Sequence, residues 1–84
     1  MSQYETRMTL PEWVMTHSNF ARGLDDVRSG RPFDAEIHDG WEYERGRLFG
    51  AIAPRNMRLL TRAKNLNPKA LKLYIAARHR GLIL

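Results

Sequence analysis

The chain has 84 residues, 43% apolar and 27% charged, with no cysteine. This length makes one domain with a thin core, burying only ~60% of its unfolded surface. The composition excludes a disordered polyelectrolyte, and the missing cysteines exclude disulfides and thiolate metal sites. No apolar run nears the ~20 residues of a membrane span. Met1-Ser2-Gln3-Tyr4-Glu5 lacks the basic and apolar regions of a signal peptide, so the chain reads as cytoplasmic.

Residues 1–8 read as a flexible terminus ahead of one helical domain over 9–84. Thr9 and Glu12 form a capping box. Behind it Leu10, Trp13, Val14, Phe20, Ala21, Leu24 and Val27 fall on one stripe of a 3.6-residue period, which predicts a first helix over 10–28. Gly30 is its expected stop, and Ser18 and Gly23 are soft points within it. His17 sits inside the stripe and reads as a core histidine with one hydrogen bond. Gly30 to Asp34 forms a turn, in which Phe33 is expected to pack inward.

The second helix starts at Asp34 or Asp39 and runs to 53, with a second capping box at Asp39 and Glu42. Trp41, Leu48 and Ile52 share one face, and core packing is the expected place of Trp41. Tyr43, Gly46 and Gly50 share the other, a flat strip where another backbone can come close. Pro54 suits the first turn of a third helix over 54–64, ended by Asn65. Asn67-Pro68 reads as a cap and first-turn proline for a fourth helix over 68–80, stopped by Gly81. Leu82-Ile83-Leu84 is expected to fold back on the core. No segment alternates convincingly as a strand. The predicted fold is therefore an all-α bundle of about four helices, with an acidic helical hairpin over 9–53 and a basic one over 54–84.

Charge separates the same two halves. Residues 1–44 hold all nine acids and four arginines, a net charge of −5, whereas residues 45–84 hold ten Lys and Arg and no acid, a net charge of +10. In the third predicted helix, Arg55, Arg58 and Arg62 lie on one face, opposite Met57, Leu60 and Ala63. In the fourth, Lys69, Lys72, His79 and Arg80 cluster around Ala76, opposite Leu71, Tyr74 and Ile75. Arg45 and Arg47 extend the basic surface. Aligned stripes of this kind suit phosphate binding, and arginine suits bidentate contacts and stacking on bases. The competing view is that the acidic half packs against the basic half and cancels its field. The last two predicted helices also resemble a helix-turn-helix layout, but helix four lacks the Asn and Gln pairs that read adenine edges.

No residue set looks catalytic. His17, His38 and His79 are far apart and share no metal-ligand spacing. Asp25 and Asp26 point in different directions on a helix, so they make no carboxylate dyad. Glycine-rich phosphate loops and nucleophile elbows are missing. The expectation is a non-enzyme without cofactor or metal.

One stretch is distinctive. Phe20-Ala21-Arg22-Gly23 runs through Gly30-Arg31-Pro32-Phe33 to Trp41-Glu42-Tyr43-Glu44-Arg45-Gly46-Arg47. It resembles the ribosome modulation factor family in its Ala-Arg-Gly, its second glycine seven residues on, its Pro-aromatic pair and its aromatic residue shortly before a glycine. The resemblance covers residues 20–50 and implies a helix–turn–helix hairpin that binds ribosomal RNA and holds ribosomes inactive. The basic C-terminal stretch has no counterpart in that family.

Two functional expectations follow. The first is stoichiometric nucleic-acid binding, RNA before DNA, with Arg45, Arg47, Arg55, Arg58, Arg62, Lys69, Lys72 and Arg80 contacting phosphate. Phe33, Trp41 and Tyr43 would add stacking where their rings are exposed. The second is a protein-binding inhibitor or adaptor of the kind phages encode, such as an antagonist of a host defence complex. It would dock on an acidic protein surface or form a homodimer, with Phe33, Tyr43, Gly46, Gly50 and the C-terminal tail as contact points.

Overall fold

A computed structural model of the protein describes residues 10–37 and 41–83. The expected flexible terminus, the Thr9 cap, the Asp39 cap, His38 and Leu84 lie outside them. The described fold is all-α: helices α1 (Pro11–Met15), α2 (Ser18–Arg28), α3 (Trp41–Ile52) and α4 (Pro68–His79), with a 3-10 turn at Ala35–Ile37. None of these helices is long and apolar enough to cross a membrane.

The helix expected over 10–28 is broken in two. The Thr16 hydroxyl donates to the carbonyls of Glu12 (2.6 Å) and Trp13 (3.3 Å), closing α1. His17 then turns extended and its Nδ1 accepts from the Asn19 amide at 3.1 Å, capping α2. Local side-chain bonds of this type compete with helix continuation. Thus His17 does make one hydrogen bond, as a cap and not in the core. The break lets Val14, Met15 and Phe20 all face inward.

Both glycine stops form as expected. Gly30 and Gly81 have φ of +74° and +78°. After α2, the amides of Gly30 and Arg31 donate to Val27 and Asp26; after α4, those of Gly81 and Leu82 donate to Arg78 and Ala77. These are paired Schellman bonds that satisfy the last carbonyls of each helix. The second one turns the tail back, so Ile83 is buried.

The helix expected over 54–64 is not helical, so the basic half is a loop plus α4 and not a helical hairpin. Residues 57–60 are irregular, with Met57 and Leu59 half-buried and Arg58 and Leu60 exposed. Their period is two, not 3.6. The loop closes on itself: the Thr61 amide donates to Asn65 (2.7 Å), the Lys64 amide to Thr61 (2.9 Å) and the Asn67 amide to Leu59 (2.9 Å). Leu60 and Leu66 form an isolated antiparallel bridge. Lys64 adopts φ 67° at the tip.

Asn67 holds the loop to α4. Its Oδ1 accepts from the Lys69 amide at 3.1 Å, the expected cap, while its Nδ2 donates to the Arg58 carbonyl at 2.7 Å. Losing a cap costs ~1 kcal/mol, and losing a further hydrogen bond costs ~1 kcal/mol. Asn67→Ala should therefore lower unfolding stability in urea by about 2 kcal/mol. Asn67→Asp, which keeps the acceptor alone, should lose about half of that.

Three aromatic rings hold the helices together. Phe20 lies 5.6 Å from Phe49 and 5.6 Å from Tyr74, with Phe49 and Tyr74 6.2 Å apart. Val14, Met15, Leu24, Ala53, Ala70 and Ala77 fill the space around them. Rings at such separations add to the burial of their area.

Candidate nucleic-acid interface

The α2–α3 unit is organised around a buried carboxylate. The Schellman turn at Gly30 brings Arg31 back over Asp26, which is 1% exposed. Asp26 Oδ1 accepts from Arg31 Nε at 2.8 Å and Arg22 Nε at 3.2 Å. Its Oδ2 accepts from the hydroxyl of Tyr43 at 2.7 Å. That hydroxyl in turn accepts from the Asp34 amide at 3.1 Å, so one ring fixes both sides of the turn. The Tyr43 hydrogen bond, helped by Arg31 and Arg22 and opposed by burial, holds the Asp26 carboxyl down to about 2. Arg31 Nη2 also pairs with Asp25 at 2.8 Å, and Arg22 Nη2 with Asp34 at 3.4 Å.

These contacts bear on whether the two halves neutralise one another. The aspartates of α2 and the turn pair with arginines of the same unit. Among the described residues, none of Arg55, Arg58, Arg62, Lys64, Lys69, Lys72 and Arg80 forms an ion pair, and all seven side chains are exposed.

The structure sorts the expected contact residues into three groups. Arg58 and Arg62 lie along the 57–65 loop, with Lys64 beside them at its tip. Lys69, Lys72, His79 and Arg80 are all on the exposed side of α4, around Ala76 as expected. Ile75 is 46% exposed and does not join Tyr74 in the core. Arg55 belongs partly to the scaffold: its Nη2 donates to the Arg28 carbonyl at 3.0 Å, while Arg28 Nη2 donates to the Pro54 carbonyl at 2.9 Å.

Arg45 and Arg47 form a separate group on α3. The Arg45 guanidinium lies 5.7 Å from the Trp41 ring, and that of Arg47 lies 6.0 Å from the rings of Phe33 and Tyr43. Arg47 Nη1 donates to the Arg31 carbonyl at 3.1 Å. Cations at these distances from ring faces are attracted by the ring quadrupole.

The third group is internal. Tyr43 is fully buried, so it cannot stack on a base. The Tyr43–Gly46–Gly50 strip does receive another backbone, but that backbone is α2. A Cβ on Gly46 would meet the Phe20 carbonyl, and one on Gly23 would meet the Tyr43 carbonyl. With that face turned inward, Trp41 is left 63% exposed, and Phe33, expected to pack inward, is 46% exposed against the edge of Tyr43. Lys64, Asn56 and Thr61 were not singled out by the sequence, since their placement depends on the shape of the loop.

No family model matches the chain, and neither do the curated proteins or the solved structures with which it was compared.

Proposed function

We propose that the protein binds nucleic acid, RNA before DNA, and acts by stoichiometric occupancy of a phosphate-rich site. One observation carries the reading: the aspartates of α2 and its turn pair with Arg22 and Arg31, while seven cations between Arg55 and Arg80 are exposed without an ion pair among the described residues. A surface in that state attracts polyanions and releases their counterions on binding. The resemblance of residues 20–50 to the ribosome modulation factor family makes ribosomal RNA the first target to try. The residues that carry it, Gly23, Tyr43 and Gly46, build the α2–α3 contact.

The exposure of Trp41 and Phe33 favours a second reading, a protein-binding inhibitor or adaptor with these rings at its contact face. Fluorescence anisotropy against generic RNA and duplex DNA over a salt series separates the two. Affinity for RNA should fall steeply with salt, and Arg58→Ala with Arg62→Ala should reduce the log–log slope by roughly 1.5. An absence of binding at low salt would overturn the nucleic-acid reading and leave the protein partner.

A further inference from the structure

A groove lies between the 54–61 segment and the start of α4, with a volume of about 400 Å³. That is within the ~300–1,000 Å³ of sites that hold small organic ligands. Arg58 and Lys69 stand on its rim, Met57 and Leu60 supply apolar wall, and Asn56 and Thr61 supply polar groups. We infer that this groove takes a single unpaired nucleotide of a single-stranded nucleic acid. The inference rests on the proposed function and deepens it, because it names the form of nucleic acid that is bound.

Three observations support it. First, the charge is complementary: both rim cations are exposed and without an ion pair among the described residues, and none of the described residues lining the groove is an acid. Second, the lining is mixed in the way a nucleotide requires. A phosphate needs only the cations, but a base has an apolar face and a polar edge. Met57 and Leu60 suit the face, the first with a soft, adaptable side chain. The Asn56 carboxamide, which makes no hydrogen bond with a described residue, suits the edge. Third, the walls are already held apart. Asn67 ties the Arg58 carbonyl to the cap of α4, and the Asn67 amide ties the loop at Leu59, so little ordering remains to be done on binding. A base can lie against these walls only if it is out of a duplex stack, since pairing occupies its edge and stacking covers its face. An acidic peptide would satisfy Arg58 and Lys69 but would have nothing flat to place against Met57 and Leu60.

The test compares a labelled single-stranded octaribonucleotide with the same sequence in a duplex, at one low salt concentration, by anisotropy. The single strand should bind at least tenfold more tightly. Asn56→Leu removes the polar partner of the base edge without removing a described hydrogen bond and should reduce that preference at least threefold while leaving duplex affinity within about twofold. Lys69→Glu is the second variant: it leaves the backbone cap of α4 in place and should weaken the single strand more than the duplex. Thermal melts establish that each variant is folded. Equal affinity for single strand and duplex, or a folded Asn56→Leu variant that keeps the full preference, would overturn the inference while leaving general nucleic-acid binding intact. Displacement of the RNA by poly-glutamate at equal charge would overturn it in favour of an acidic protein partner. An absence of binding to either RNA would overturn both readings.

Discussion

Gly46→Ala should unfold the protein or leave it barely stable. A Cβ at this position would meet the carbonyl, carbonyl carbon and Cα of Phe20, all of them backbone atoms. Backbone cannot rotate out of the way as a side chain can, so α2 and α3 must move apart. That separation would loosen Phe20 and Phe49, which share the aromatic core with Tyr74. Overpacking costs ~1–3 kcal/mol where side chains yield and more where they do not. A domain of this size has roughly 4–12 kcal/mol to lose. Gly23→Ala should behave alike, because its Cβ would meet the backbone of Tyr43 and Arg47. Gly50→Ala is the contrast. Its Cβ would meet side-chain atoms of Leu24 at 3.1 Å and Val27 at 3.3 Å. Alanine also gains ~0.8–1.0 kcal/mol of helix propensity over glycine. Its stability should therefore stay near that of the parent. Urea denaturation of the three variants side by side is the check; a stable Gly46→Ala protein would refute the close crossing of α2 and α3.

The second large effect is expected at Asp26. Asp26→Ala removes the acceptor of the buried Tyr43 hydroxyl and frees Arg31 and Arg22 from their shared partner. An unsatisfied buried hydroxyl such as that of Tyr43 costs ~1–3 kcal/mol. For a domain this size, each kcal/mol moves Tm by about 4–8 °C, so a fall of roughly 10 °C is expected. Asp26→Asn keeps an acceptor for Tyr43 and should fall less. The same site predicts a pH dependence. The folded carboxyl titrates at about 2, below its ordinary 3.8. A depressed pKa stabilises the fold above the ordinary value, and that contribution is lost as pH falls from near 4 towards 2. The stability difference between the parent and Asp26→Asn should shrink over that window and be constant above it. A difference that does not change between pH 5 and 2 would rule out the charged network.

Much of this fold is readable from local chemistry. Gly30, Asn67-Pro68 and Gly81 mark helix ends because capping depends on a few neighbouring atoms. The break at Thr16 and His17 depends equally on local bonds, but neither residue type is a strong punctuator, and the apolar stripe continues across it. The segment after Pro54 misleads for a different reason: Met57, Leu60 and Ala63 fit a helical face, while Met57 and Leu59 fit an extended one. Only the cross-loop bonds of Asn65 and Asn67 decide between them. In α3 both faces carry large apolar residues, so periodicity cannot say which is inside. The glycines on the Tyr43 face could, since they make room for a neighbouring helix, and α2 is that neighbour. The cations of the candidate site were visible as composition. The groove was not, because it exists only once the loop has folded against α4.

The loop from 59 to 67 is closed at its neck by the Asn67 amide and by the Leu60–Leu66 bridge, and the Lys64 amide closes the tip on Thr61, leaving Arg62 and Ala63 outside these bonds. Sequence at the tip is thereby uncoupled from the scaffold. Residues can be exchanged at 62 and 63 without disturbing the core, as expected of loops whose ends are fixed, while the positive φ at Lys64 favours Gly or Asn as its replacement. The tip is a natural graft point: changing its charge retunes what the surface meets while the three-ring hub and the Asp26 knot stay as they are.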